Sequence, residues 1–247
     1  MLSQTQKQLL QRDGFIHLRG AVAPELVNTA LQTINARLGE GVPADQLPIW
    51  SAQSWFPELK KTPGITDLYN TSGVGETVAS LLGGHGREAG GGQLALRFPR
   101  GVGTQPKPPG PHIDGIYTPT NGVPKGTLGS FTALVGVFLT PVSRPYAGNF
   151  CVWPGSHLKM QDYFREHGTQ ELMEGRMPKL DWGEALQIEA EPGDCVIAHF
   201  QLMHGVAMNL SPMARFCTFF RVTHPKHKEN RLECLTNLWL EWPGVSE

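Results

Sequence analysis

From Gln93 onward the hydrophobic period of the chain drops to two, and that change limits the folds open to it. Leu94, Leu96 and Phe98 alternate with Gln93, Ala95 and Arg97, so an extended segment here has one apolar and one polar side. Further strand-like runs follow at 131–139, 150–153, 186–190, 194–200, 203–208 and 215–222. Between them stand turn formers: Pro154-Gly155-Ser156-His157, Pro192-Gly193 and Asn209-Leu210-Ser211-Pro212. Short strands separated by turns, in a chain with 29 glycines and 20 prolines, predict a β-sandwich or barrel rather than a helical bundle.

The first third reads differently. Residues 1–12 form a helix with Leu2, Leu9 and Leu10 near one face, and Phe15-Ile16-His17-Leu18 is a strand. Pro24-Glu25 opens a second helix that carries Leu26, Ala30, Ile34 and Leu38 at four-residue spacing. The Pro-rich stretch 40–66 is expected to be a loop anchored by Trp50, Trp55 and Phe56, and 73–82 a third helix. A helix is expected around 159–175, and an amphipathic C-terminal helix over 228–242 carrying Leu232, Leu235, Leu238, Trp239 and Trp242. No linker divides these parts. The expectation is one domain over 1–247: a helical N-terminal layer at about 1–85, a β core at about 93–222, and the C-terminal helix.

A formal net charge of −1 gives no general attraction to nucleic acid or to an anionic membrane. No apolar run approaches the ~18–20 residues of a transmembrane helix, and the polar start Met1-Leu2-Ser3-Gln4 has no hydrophobic signal core. Cys151, Cys195, Cys217 and Cys234 form no C-x-x-C pair, so zinc-ribbon chemistry is unsupported and a reducing cytoplasm is the default.

The chemistry begins at His112-Ile113-Asp114. In extended backbone His112 and Asp114 project from the same side, which suits two ligands of one metal ion. Alone, such a pair is usually a turn with a solvated carboxylate. His204 lies downstream in a strand-like run, and Arg215 follows it by eleven residues. Arg215, Cys217, Phe219 and Arg221 share one face. A guanidinium buried there needs an anion, and with no carboxylate beside it in the sequence, a ligand is a candidate partner. Two histidines and one carboxylate form the facial triad of non-haem Fe(II) oxygenases, and an arginine fork suits a dicarboxylate.

These residues, together with Asp13-Gly14-Phe15, Pro24-Glu25-Leu26-Val27, the run Gly148-Asn149-Phe150-Cys151-Val152-Trp153-Pro154-Gly155-Ser156-His157, and Pro192-Gly193-Asp194 leading to His204, Asn209, Ser211 and Arg215, carry a resemblance. From about Asp13 to Val222 the chain resembles the phytanoyl-CoA dioxygenase family of Fe(II)/2-oxoglutarate oxygenases. The resemblance implies a mainly β double-stranded β-helix (jelly roll, cupin-like) with flanking N-terminal helices. It implies His112, Asp114 and His204 as iron ligands and Arg215 as partner of the distal 2-oxoglutarate carboxylate. Phe138 falls near a position that lines the co-substrate pocket, and Gln93 or Arg97 reaches toward it. The implied reaction consumes 2-oxoglutarate and O2, gives succinate and CO2, hydroxylates a C–H bond of a small or medium organic molecule, and is assayed with ascorbate. The carboxylate at Asp114 argues against halogenation, and residues 116–130 are longer than usual for this connection.

Other outcomes stay open on the same ligands: desaturation, cyclisation or epimerisation, a silent cupin-like binding protein, or a metal-dependent hydrolase that would not require Arg215. A monomer and a homodimer are both compatible with the sequence. Arg221 either binds an anionic substrate group or pairs with a structural carboxylate. Trp50, Trp55, Tyr117 and Trp153 either shape a pocket or belong to the core. His157 is expected to be a structural hydrogen-bonder and His199 a core or rim residue, with His85, His167, His224 and His227 on the surface.

Overall fold

A computed structural model describes residues 2–246. Helix α1 (Gln4–Asp13) opens on a capping box in which the Ser3 hydroxyl accepts from the Gln6 amide and the Gln6 side chain accepts from the Ser3 amide. Helix α2 (Pro24–Gly39) starts on a proline, where a missing N–H costs nothing. Helices α3 (Leu47–Ala52), α4 (Pro63–Asn70) and α5 (Gly73–Leu81) follow.

The strands are β1 (Phe15–Leu18), β2 (Gln93–Arg97), β3 (Ala133–Phe138), β4 (Phe150–Val152), β5 (Leu186–Gln187), β6 (Cys195–His199), β7 (His204–Val206) and β8 (Arg215–Val222). They make two antiparallel sheets, a larger one ordered β1-β6-β3-β8-β2 and a smaller one ordered β5-β4-β7. This is the cupin-like architecture in an open form, since the two sheets do not close into a barrel.

The alternation of residue types decides which way each sheet face looks. Leu94, Leu96, Val135, Val137, Ile197 and Phe220 pack outward against Ile34, Ile65 and Leu68 of the helical layer. Leu134, Phe138, Val196, Cys217 and Phe219 face inward, toward Phe150 and Val152 of the smaller sheet. Full burial of a side chain such as Phe220 contributes about 1.5–3 kcal/mol. A one-residue slip of β8 would turn Arg215 and Arg221 into the helix interface, so the register is strongly specified. The Pro-Gly-Asp turn before β6 has a structural task. Asp194 accepts from Gly20 N, Glu191 N, His17 Nε2 and Arg19 Nη1, and so ties the loop after β1 to the entry of β6.

Four expectations are corrected. Residues 40–66 are not a plain loop but contain α3, a single 3-10 turn at Pro57–Leu59 and the start of α4. Prolines 48, 57 and 63 each sit in a first turn, where they favour a helix start over a break. The helix expected at 159–175 divides into α6 (Ser156–His167) and α7 (Gln170–Met173), parted by Gly168.

The tail 228–242 is not one helix. It winds through α8 (His227–Asn230), a 3-10 turn at Glu233–Leu235 and further turns to α9 (Pro243–Ser246). Leu235, Leu238 and Trp242 are buried as expected and Trp239 is partly buried, but Leu232 is exposed, and the tail's carbonyls are used elsewhere. Leu235 O accepts from Gln201, Thr236 O from Gln161 and Arg165, and Leu238 O faces His199 Nε2. A regular helix would have claimed those carbonyls for its own amides.

His227, expected on the surface, is buried. Its Nδ1 lies 2.8 Å from Glu241 Oε2, which also accepts from Thr132 Oγ1 at 2.6 Å, while its Nε2 lies 2.8 Å from Ser130 Oγ. The carboxylate partner stands fourteen residues away. Because both side chains are removed from water, Glu241→Ala is expected to destabilise the fold by about 3 kcal/mol, read as a lowered denaturation midpoint in urea. A change below about 0.5 kcal/mol, the range of ordinary surface substitutions, would contradict this role.

Candidate metal and co-substrate site

His112 and His204 meet across an isolated antiparallel bridge. Each amide donates to the other's carbonyl at 2.9 Å, which sets the two imidazoles side by side with ring centroids 4.7 Å apart. Gly205 lets the chains come this close, because a Cβ there would stand 2.5 Å from the Gly110 carbonyl. Asp114 joins from one side, with Oδ1 at 3.8 Å from His112 Nε2 and 3.6 Å from His204 Nε2. Gly115, at φ +80° and pressed against the Gly129 carbonyl, makes the turn that carries the chain away from Asp114.

The donor set fits a metal ion. One ligand atom from each of the three residues lies within 4.8 Å of the others. His204 Nδ1 sits 3.0 Å from the Leu202 carbonyl, to which only an N–H can bond, so the Nε2 lone pair is left for the pocket. Partial burial, and His204 beside it, push the His112 imidazole below its ordinary value, which favours the neutral form. Burial alone would raise the Asp114 carboxyl, but His204 and the Arg221 guanidinium hold it well below the usual carboxylate range. An ionised carboxylate and imidazole nitrogens facing one another are the donor set that ligation requires.

Arg221 resolves the alternatives left by the sequence. It pairs with the carboxylate of the site itself: Nε and Nη2 both donate to Asp114 Oδ2, at 3.1 and 2.6 Å, and Nη1 donates to Gln93 Oε1 at 2.6 Å. Oδ2 is thereby occupied and Oδ1 is left facing the histidines. The pattern in β8 showed that Arg221 shares a face with Arg215, but its partner could not be read before the fold brought β8 against the loop holding Asp114. Removing such a supporting partner lowers metal affinity by about 10–100-fold, so Arg221→Ala is expected to weaken Ni(II) binding by that factor in calorimetric titration. An unchanged affinity would remove Arg221 from the site.

Arg215 lines the same pocket, 2% exposed. Its Nε donates to Gly148 O at 2.6 Å and Nη1 to Ala95 O at 2.9 Å. It forms no ion pair with a carboxylate among the described residues, and burial pushes it down to about 10. Arg97 stands opposite Arg215 in the β2–β8 register and lines the same space. Asn209 fixes that end of the sheet pair: its Nδ2 donates to Arg97 O and Met213 O, and its Oδ1 accepts from Ser211 N and Oγ. Phe150, Phe219 and Leu134 supply apolar walls to a pocket of about 610 Å³, counting its open mouth.

Of the residues singled out in the sequence, His112, Asp114, His204, Arg215, Arg97 and Gln93 all line this pocket. Phe138 does not. It lies on the pocket-facing side of β3 but at the far end of the strand, 0% exposed, opposite Cys217 and 6.3 Å from the His17 ring. Leu134, four residues earlier on that side, takes the lining position. Trp50 and Trp55 form an edge-to-face cluster with Phe56, and Trp153 is core, its Nε1 donating to Gly183 O. His157 is a buried structural residue, its Nε2 3.0 Å from Gln11 O, and His199 is core.

A family model described as Phytanoyl-CoA dioxygenase (PhyH) matches residues 10–217. A search of curated protein sequences returns no match. Among solved structures, the chain is similar to the non-heme alpha ketoglutarate dependent carbocyclase SnoK from nogalamycin biosynthesis, at 18% identity and TM-score 0.56 over 94% of this chain and 91% of that one. It is similar to HygX from Streptomyces hygroscopicus with nickel and 2-oxoglutarate bound, at 17% identity and TM-score 0.56 over 89% and 86%. It is also similar to the non-heme alpha ketoglutarate dependent epimerase SnoN, at 17% identity and TM-score 0.55 over 88% and 79%. At these identities the likeness is one of fold.

Proposed function

The chain belongs to the phytanoyl-CoA dioxygenase family, and from that membership we propose that it is an Fe(II)/2-oxoglutarate-dependent dioxygenase hydroxylating a C–H bond of a small or medium organic substrate. The observation that carries this reading is the meeting, in one pocket, of His112, Asp114 and His204 with a buried arginine that has no carboxylate of its own.

His112, Asp114 and His204 would hold the iron, leaving the pocket side free for co-substrate and O2. Bound iron supplies the activation of O2 that couples loss of CO2 from 2-oxoglutarate to C–H oxidation, so that substrate, 2-oxoglutarate and O2 give alcohol, succinate and CO2. Arg215 binds the distal carboxylate and sets the depth of 2-oxoglutarate in the pocket. Arg97 and Gln93 stand within the same space to bear on its other end. Arg221 keeps Asp114 ionised and aimed. Phe150, Phe219 and Leu134 exclude water from the reacting region.

Because Asp114 keeps a carboxylate at the metal, hydroxylation is favoured over halide transfer. The carbocyclase and epimerase among the similar folds show that this architecture also hosts outcomes other than hydroxylation, which substrate position would select. The helical layer, the sheets and the tail act as one oxygenase domain, as a monomer or homodimer. No helix among the described residues is long and apolar enough to cross a membrane. Four buried, unpaired thiols support work in a reducing cytoplasm.

Carboxyl-labelled 2-oxoglutarate tests the reading. With Fe(II), O2 and ascorbate the protein is expected to release labelled CO2 and equimolar succinate slowly even without a substrate, and not at all without Fe(II). A hydrolase or a silent binding protein would release neither.

A further inference from the structure

The pocket does not end at the candidate metal residues. It shares Ser51, Arg97 and Val206 with a second recess, lined also by Trp55, Phe98 and Asn209, and that recess shares Arg100, Val206 and Met208 with a third, which reaches Lys107. The three form one groove from His112 and Asp114 out to the loop 99–110.

Its charge is one-sided. The chain as a whole is nearly balanced, with 21 Lys and Arg against 22 Asp and Glu. The groove carries Arg97, Arg100, Lys107, Arg215 and Arg221 against the single carboxylate of Asp114. Asp114 is neutralised by Arg221, and Arg215 with Arg97 answers the two charges of 2-oxoglutarate. Arg100 and Lys107 remain, exposed, and neither forms an ion pair among the described residues.

The backbone that carries Arg100 is held in place. The Arg100 amide donates to Asn209 O at 2.8 Å, and Asn209 holds Arg97 O as described, so the backbone between the two arginines is pinned at both ends. Arg97 and Arg100 stand three residues apart on this segment and line the same recess, and burial first, with the Arg100 charge second, depresses the Arg97 guanidinium. Holding like charges together without a carboxylate costs free energy that an anionic ligand would recover. Between these cations and the metal residues an apolar strip of Trp55, Phe98 (39% exposed), Met208 and Val206 runs alongside Ser51 and Asn209.

We infer that the substrate is an organic anion, with an apolar body lying along Trp55, Phe98 and Met208 and a carboxylate or phosphate held by Arg100 and Lys107. This places the oxidised carbon at the inner end, away from the charged group. It rests on the oxygenase reading only in taking Arg215 and Arg97 as occupied by 2-oxoglutarate.

The test is calorimetry on the full chain under argon, first with Fe(II) and 2-oxoglutarate, then with four probes: 4-phenylbutyrate, its phosphonate analogue, its neutral amide and the corresponding amine. The first titration scores the oxygenase reading by itself. In the second, the two anions are expected to bind roughly tenfold or more tightly than the amide, and the amine not at all. The better of the two anions identifies the head group. In Arg100→Ser/Lys107→Ser the anion preference should fall to about threefold or less while 2-oxoglutarate affinity is unchanged, since neither residue lines the inner recess. Amide binding equal to that of the anions, no binding of either anion at millimolar concentration, or an anion preference that survives in the double variant overturns the inference.

Discussion

His112→Ala is expected to abolish succinate formation from 2-oxoglutarate while the protein stays folded. Loss of a residue that merely supports a ligand costs about 10–100-fold, so loss of a ligand should leave turnover below about one-hundredth of wild type. The fold should survive because His112 stands at the pocket mouth, its side chain half exposed. Its two bonds to His204 are made by the backbone and do not depend on the side chain. The check pairs an end-point succinate assay with a thermal melt. A variant that melts like wild type and still makes succinate at more than a tenth of the wild-type rate would remove His112 from the metal site.

Arg215→Ala is expected to raise the dissociation constant of 2-oxoglutarate strongly while Ni(II) binding survives. Truncating one member of a buried charged pair costs about 2–5 kcal/mol, which is roughly thirtyfold to several-thousandfold in affinity. Arg215→Lys should restore little of it, because a lysine cannot hold Gly148 O and Ala95 O and still present a fork. Mass action gives an independent reading. Saturating 2-oxoglutarate should raise the melting temperature of the wild type, by the equivalent of about 2.7 kcal/mol at a hundred times its dissociation constant, and leave the alanine variant unmoved. Loss of metal with unchanged co-substrate affinity would reverse the assignments of Arg215 and the triad.

What the sequence disclosed follows from the range of the forces involved. β2 and β8 were legible from their alternation, and β3 and β6 as short apolar runs between turns, because each is buried on both faces, and both signals are written locally. The same period placed Arg215 and Arg221 on one face, which the fold turns inward. The prolines that start α3 and α4 could have been read as helix starts, but surrounding Trp and Pro residues made a loop the simpler reading. The ion pairs Arg221–Asp114 and His227–Glu241 carry no local signal, since each joins residues that only the finished fold brings together. The tail misled for a related reason: its helical spacing of Leu and Trp correctly marks Leu235, Leu238 and Trp242 as buried, though not Leu232, while Gln161, Arg165, His199 and Gln201 decide the backbone path. Phe138 shows that a face is easier to assign than a depth along the strand.

Anaerobic titration of 2-oxoglutarate into the Fe(II)-loaded protein, followed by visible absorption, tests most directly whether these residues form one metal and co-substrate site. A charge-transfer band that needs both Fe(II) and 2-oxoglutarate is expected, absent in His112→Ala and shifted to much higher 2-oxoglutarate concentration in Arg215→Ala. Absence of the band in wild type, with calorimetry showing no 2-oxoglutarate binding, would contradict it.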